Sequence, residues 1–129
     1  MLFRSFARVS IREGGDSFYS MTNGQFTMYG RAEYLELRRP ERLRYTQCFV
    51  DAQEQLSRHP MAPLWPEKML TTVTLTAEGA AQTRVTIQWE PYGAATPEEV
   101  AAFAAARAGM TMGWTGSLDK LEEALAAAA

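Results

Sequence analysis

Along most of the first ninety positions apolar residues alternate with polar ones, the period of strands with one buried face. Residues 6–12, FARVSIR, alternate loosely and run into Gly14-Gly15. Residues 16–22, DSFYSMT, lead to Asn23-Gly24, a pair that accepts positive φ and so predicts a hairpin turn. A long strand is expected over 25–37, with Gly30 as a candidate bulge and Pro40 ending it. The next strand, 42–49, puts Leu43, Tyr45, Gln47 and Phe49 on one face. Between 51 and 67 the alternation stops, and prolines at 60, 63 and 66 predict an irregular loop. Strands resume over 70–79 and 82–91, rich in Thr and Val and joined by Ala-Glu-Gly-Ala-Ala. Val73 and Leu75 share one face of the first, and Val85, Ile87 and Trp89 one face of the second. Thr, Arg, Gln and Glu stand opposite, which predicts a sheet with one buried and one wet side.

The period then becomes helical. Thr96 is a good N-cap, Pro97 suits the first helical position, and Glu99 completes a capping box. At ~100° per residue, Phe103, Met110, Trp114, Leu118, Leu121 and Leu125 form one stripe. A single helix is therefore expected from Pro97 to about Leu125, with frayed alanines after it. Gly109, Gly113 and Gly116 gather on a flank of the stripe. Glycine inside a helix costs roughly 0.5–1 kcal/mol relative to alanine, so the expected return is close approach by another backbone or a ligand. Strands followed by a helix that covers their apolar face make an α+β layering. A chain of 129 residues suits one domain.

Composition narrows the function classes. Thirteen basic residues face fifteen acidic ones, so no nucleic-acid partner is expected. The densest basic run, RRPERLR at 38–44, is interrupted by Glu41 and reads as a solvated turn. No apolar run approaches the ~18–20 residues of a membrane span, so no membrane partner is expected either. Cys48 is the one cysteine; no internal disulfide can form, and a cytoplasmic setting fits.

Catalytic constellations are sparse. His59 is the one histidine and has no ligand spacing with Cys48, so no metal or other cofactor is expected. His59 reads as a solvated loop residue and Cys48 as a small half-buried one. Gly14-Gly15 opens no helix and is a turn rather than a phosphate loop. Glu98-Glu99 complements a helix N-terminus, and Glu122-Glu123 reads as solvated. What remains is an apolar pocket with a few polar groups. From the strands and the Pro-rich loop its candidate lining is Tyr19, Met21, Met28, Tyr45, Gln47, Trp65, Val73, Val85 and Trp89. Met110, Trp114 and Leu118 would come from the helix. Tyr19, Tyr45 and Gln47 would supply hydrogen bonds.

Four stretches, in order, carry a family resemblance: IREGGDSFYSM, RRPERLRYT, the pair TTVTLTAEG and TRVTIQWEP, and MTMGWTGSLDKLEEAL. Together they resemble the START-like (SRPBCC) superfamily, in the branch of activator of heat-shock-protein ATPase homologue-like proteins. The resemblance implies a helix-grip fold, in which a long helix lies in the concave side of a curved antiparallel sheet with a cavity between. Trp114 would point into that grip, and the glycines would let the helix sit close.

The family pattern opens with a strand and two short helices that this sequence lacks, which would uncover a sheet edge. Met1–Ser5 is expected to be foreign to the domain. ATG-CTC-TTC-CGA-TCT would encode it, and the last twelve bases resemble the end of a common sequencing adapter. The competing expectation is a native short chain that completes its sheet as a homodimer.

For function, the resemblance and the residues imply first a non-catalytic binder of a small hydrophobic or amphipathic molecule. The second implication is a chaperone-associated interaction module. The third is a cyclase- or hydrolase-like enzyme, for which Tyr19, Tyr45, His59 and Glu90 are the available acid/base groups.

Overall fold

The computed structural model describes residues 3–60 and 62–128. Met1, Leu2, Met61 and Ala129 lie outside the described residues, and with them the first two positions of MLFRS and the last alanine of the frayed end. Six strands, β1 (Phe3–Val9), β2 (Asp16–Thr22), β3 (Thr27–Arg38), β4 (Arg42–Val50), β5 (Met69–Glu78) and β6 (Gln82–Pro91), precede two helices. These are α1 (Pro97–Ala105) and α2 (Arg107–Ala128). The strands form one antiparallel sheet in the order β1-β2-β3-β4-β5-β6. Sheet plus long final helix is the α+β helix-grip arrangement.

Turn chemistry explains where the strands stop. Asn23 Oδ1 accepts hydrogen bonds from the backbone N–H groups of Gln25 and Phe26, so the turn takes residues 23–26 and β3 starts at Thr27 rather than 25. Gly24 supplies the positive φ, 89°. The first strand lies over Phe3–Val9 instead of 6–12. The turn closes early, with Ser10 N–H donating to the Asp16 carbonyl, and Ile11 is left exposed. Phe3, Arg4 and Ser5, expected to be foreign to the domain, form the start of β1 and pair in register with Thr22, Met21 and Ser20.

Gly30 is not a bulge. The register runs unbroken from Tyr19 through Gly30 to Phe49, and the irregularity in β3 lies at Tyr34/Glu36. The phenol ring of Tyr19 lies across Gly30, where a Cβ would stand 2.5–2.6 Å from three of its atoms. Tyr19 is only 6% exposed and has little room to swing away. Gly30→Ala is expected to cost about 1–3 kcal/mol through this overpacking. Urea unfolding of G30A and of G30A/Y19L checks it: the double variant should show a smaller penalty than Y19L and G30A summed, since it removes the clash.

Pairing fixes which residues share a face. Tyr19, Gly30 and Phe49 lie in one row, Tyr45, Thr71 and Trp89 in another, and Val73 and Ile87 in a third. All stand on the helix-bearing side. On β6 the opposite positions, Arg84, Thr86 and Gln88, are exposed, as the alternation predicts. Further along that wet side Arg8 bridges Asp16 and Glu54 at 2.8 and 2.6 Å. Glu54 adopts φ 64° and so ties the loop after β4 to β1.

The single long helix expected from the pattern is bent. Ala106 leaves helical geometry at φ −87°, ψ 1°, and its N–H reaches back three residues to Phe103 at 3.2 Å. The N-terminus follows expectation: Thr96 Oγ1 accepts from Glu99 N–H at 3.1 Å, and Glu99 Oε1 accepts from Thr96 N–H at 2.8 Å. Within the stripe Phe103 is buried, and Met110, Trp114 and Leu118 are half-buried. Leu121 and Leu125 break the expectation, at 48% and 63% exposed. The helical period set their face correctly, but nothing on the sheet reaches them.

Candidate functional site

The half-buried stripe of α2 faces the sheet without closing on it. A groove of about 720 Å³ lies between α2 and strands β2, β4 and β5. A smaller gap of about 350 Å³ lies between α2 and β6. Trp89, Met110 and Trp114 line both and form the ridge that divides them.

Aromatic packing holds one end of this arrangement. Trp65 from the Pro-rich loop, Trp89 from β6 and Phe103 from α1 stand mutually 5.6–6.0 Å apart, centroid to centroid. Arg58 locks the loop to the helix start. Its guanidinium donates to the carbonyls of Pro63 and Trp65 and pairs with Glu99 at 2.9 Å. The Glu99 carboxyl is held below the usual carboxylate range, first by the Thr96 backbone N–H and then by Arg58. The capping box thus also anchors the loop that carries Trp65.

The groove wall is apolar with neutral hydrogen-bonding groups. Tyr19 OH accepts from Gln47 Nε2 at 3.2 Å. Burial pushes the phenols of Tyr19 and Tyr45 above their ordinary range, so both are neutral near pH 7 and serve as hydrogen-bonding groups rather than bases. Trp89 Nε1 is buried and has no hydrogen-bond partner among the described residues. At the β1 edge the Arg4 guanidinium lies 5.0 Å from the Tyr19 ring centroid, and Arg4 Nη2 donates to Met21 Sδ at 3.5 Å.

Of the residues expected to line a pocket, Tyr19, Met21, Tyr45, Gln47, Trp65, Trp89, Met110 and Trp114 converge on the groove. Val85 and Leu118 line the smaller gap. Met28 shares the face but borders a separate hollow with Phe49 and His59. Val73 lies between Leu43 and Ile87 and lines neither space. Alternation fixes a residue's face, not the level at which the helix crosses.

Arg4, Phe49, Pro66 and Met69 also line the groove and were not anticipated. Phe49 follows from the face it shares with Tyr45 and Gln47. Arg4 would have followed from starting β1 at Phe3.

Of the two roles expected for the helix glycines, close approach by another backbone is not found. A Cβ at Gly109, Gly113 or Gly116 would meet nothing within 4 Å. They do not let the helix sit close. Gly109 and Gly113, with Ala106 and Ser117, instead give the groove a low wall.

His59 is half-buried rather than solvated, with its ring edge-on to Phe49 at 5.5 Å. Alternation along β4 turns Cys48 to the other face from Phe49, and burial raises its thiol pKa, so Cys48 and His59 make no nucleophile pair. Glu90 likewise alternates away from Trp89 and accepts from Gln88 Nε2 at 3.2 Å. Of the acid/base groups, Tyr19 and Tyr45 meet at the groove, and His59 and Glu90 do not join them. Among the described residues no group of three His, Cys, Asp or Glu side chains could hold a metal ion. Among those residues, too, no helix is long and apolar enough to cross a membrane.

Comparison with known proteins agrees with this geometry. Residues 2–126 match the family model described as Activator of Hsp90 ATPase homolog 1-like protein. A solved protein from Chromobacterium violaceum is 25% identical, with a TM-score of 0.62, over 92% of this chain and 69% of that one. One from Mycobacterium smegmatis is 18% identical, with a TM-score of 0.66, over 92% of this chain and 66% of its own. A third, from Staphylococcus epidermidis, is 22% identical, with a TM-score of 0.66, over 94% and 66%. The chain spans about two thirds of the length of these structures. No curated protein matches it.

Proposed function

Because the chain belongs to the Activator of Hsp90 ATPase homolog 1-like family, we propose that it binds a small apolar or amphipathic molecule, without transforming it, in the groove beneath α2. The observation that carries this reading is the unfilled 720 Å³ space walled by aromatic and methionine side chains, within the size range of small-molecule sites. Tyr19 and Gln47 would orient the occupant, and Trp65, Trp89 and Trp114 would enclose its apolar body.

All three tryptophans of the chain line the groove, so intrinsic fluorescence reports occupancy directly. Fatty acids, aromatic acids and neutral polycyclic compounds should include binders that shift the emission and raise Tm. A ligand at about a hundred times its Kd adds roughly 2.7 kcal/mol of stability. Silence in both readouts across the saturating panel would rule the reading out.

The family's name carries a second reading, a chaperone-associated interaction module. The exposed Met112, Leu121 and Leu125 on α2 favour it. An Hsp90 ATPase rate unchanged by the added protein would remove it.

A further inference from the structure

Charge is distributed unevenly around the groove. Of the residues that line it, Arg4 is the one acidic or basic side chain; the others present aromatic, aliphatic, thioether, amide, hydroxyl or backbone groups. Arg4 has no carboxylate partner among the described residues. It lies over the Tyr19 ring face and donates to the thioether of Met21. Other guanidinium groups do hold carboxylates, Arg8 those of Asp16 and Glu54, Arg31 those of Asp16 and Glu33, and Arg58 of the Pro-rich loop those of Glu67 and Glu99; Arg12, Arg38, Arg39 and Arg107 hold none among the described residues, but they do not line the groove. A guanidinium presents a planar fork of donors suited to a carboxylate or similar anion. Tyr19 supports the Arg4 head from beneath and places it beside the Tyr19 OH···Gln47 pair, at the mouth of an otherwise neutral apolar cleft.

We propose that the groove is selective for anionic amphipaths. Their apolar body lies along Trp89, Met110 and Trp114, and their carboxylate or equivalent anionic head accepts from Arg4. This rests on the groove-binding reading above and adds the charge of the ligand to it. Arg4 sets the preference between head groups, while the aromatic wall supplies most of the affinity.

The test uses matched probes that differ only in the head. These are the carboxylic acid, primary amide and primary amine built on a naphthyl body and on a decyl body, titrated by tryptophan fluorescence. The wild-type protein should bind each acid about fivefold more tightly than its amide, the upper range for a partly solvated charge pair, and the amine least well. Rising salt should narrow the gap. Arg4→Gln should erase the acid–amide difference, the acid falling to the affinity of its amide. Arg4→Lys should restore part of the acid preference, which a purely structural role for Arg4 would not do. Circular dichroism confirms that each variant is folded. Equal binding of acid and amide by the wild-type protein, or an acid preference that survives in R4Q, overturns the anion selectivity and leaves groove binding standing. Failure of all six probes to bind overturns groove binding, and the selectivity with it.

Discussion

Phe103→Ala is expected to lower stability by about 3 kcal/mol, the low end for truncating a buried phenylalanine. Phe103 is the buried residue of α1 that joins the aromatic cluster, and it touches both partners of that cluster, Trp65 and Trp89. Removing its ring leaves two large indoles facing a void that neither the loop nor β6 can collapse into without moving. A single domain has only about 5–15 kcal/mol in all, so the loss is a large share. Urea unfolding followed by circular dichroism should show the midpoint fall. Tryptophan emission should shift to the red in the folded state, because Trp65 and Trp89 become wetter. A Phe103→Leu variant should recover more than half of the loss. A midpoint within experimental error of wild type would mean that the cluster contributes no net packing energy and that the helices are held some other way.

The second large effect is on binding. Gly113→Phe should weaken groove ligands by about tenfold or more, since each 1.4 kcal/mol of lost contact is a factor of ten. Stability should stay level or rise. The Gly113 position is open, with nothing within 4 Å of a Cβ, and it lines the groove. A ring placed there would occupy the ligand's space. Glycine is also the poorer helix former, by roughly 0.3–0.5 kcal/mol against phenylalanine. Gly116→Phe is the control. Gly116 is equally open but does not line the groove, so its variant should gain similar helix stability and keep its affinity. Equal loss of binding in both variants would mean that helix flexibility, rather than groove volume, governs the site.

Much of the frame was legible because it is written locally. Alternation on β4 and β6 gave the right faces, Asn23-Gly24 gave a turn, and Thr96 with Glu99 gave a helix start. Each of these depends on residues within a few positions of one another. The misread features depend on partners far away in sequence. Gly30 resembled a bulge because the reason for it, the Tyr19 ring, sits on the neighbouring strand. Trp65 was expected to line a pocket and does, but its packing against Phe103, across the whole β5–β6 hairpin, has no local signal. The bend at Ala106 falls in an alanine run that carries no side-chain signal for it. Leu121 and Leu125 match the helical period, yet their exposure depends on the sheet's extent and not on the helix at all. The same division holds at the site: eight of the twelve expected lining residues meet at the groove. The residues that stray do so because periodicity assigns a face without assigning a height.

The strand order has a consequence for how the molecule assembles. Every strand of the sheet pairs with its immediate neighbour in the chain. Four of the five hairpins therefore close through short loops of three to six residues, while the β4–β5 connection runs over residues 51–68, and loop closure is the chief entropic barrier to forming a sheet. For a six-stranded sheet this ordering keeps the sequence separation of paired residues as low as it can be, which favours rapid folding. Growth by successive hairpins needs no crossover and no distant strand to arrive. The helices follow the six strands in the chain, and Phe103 packs on both Trp65 and Trp89, which joins the loop, the sheet and the C-terminal segment.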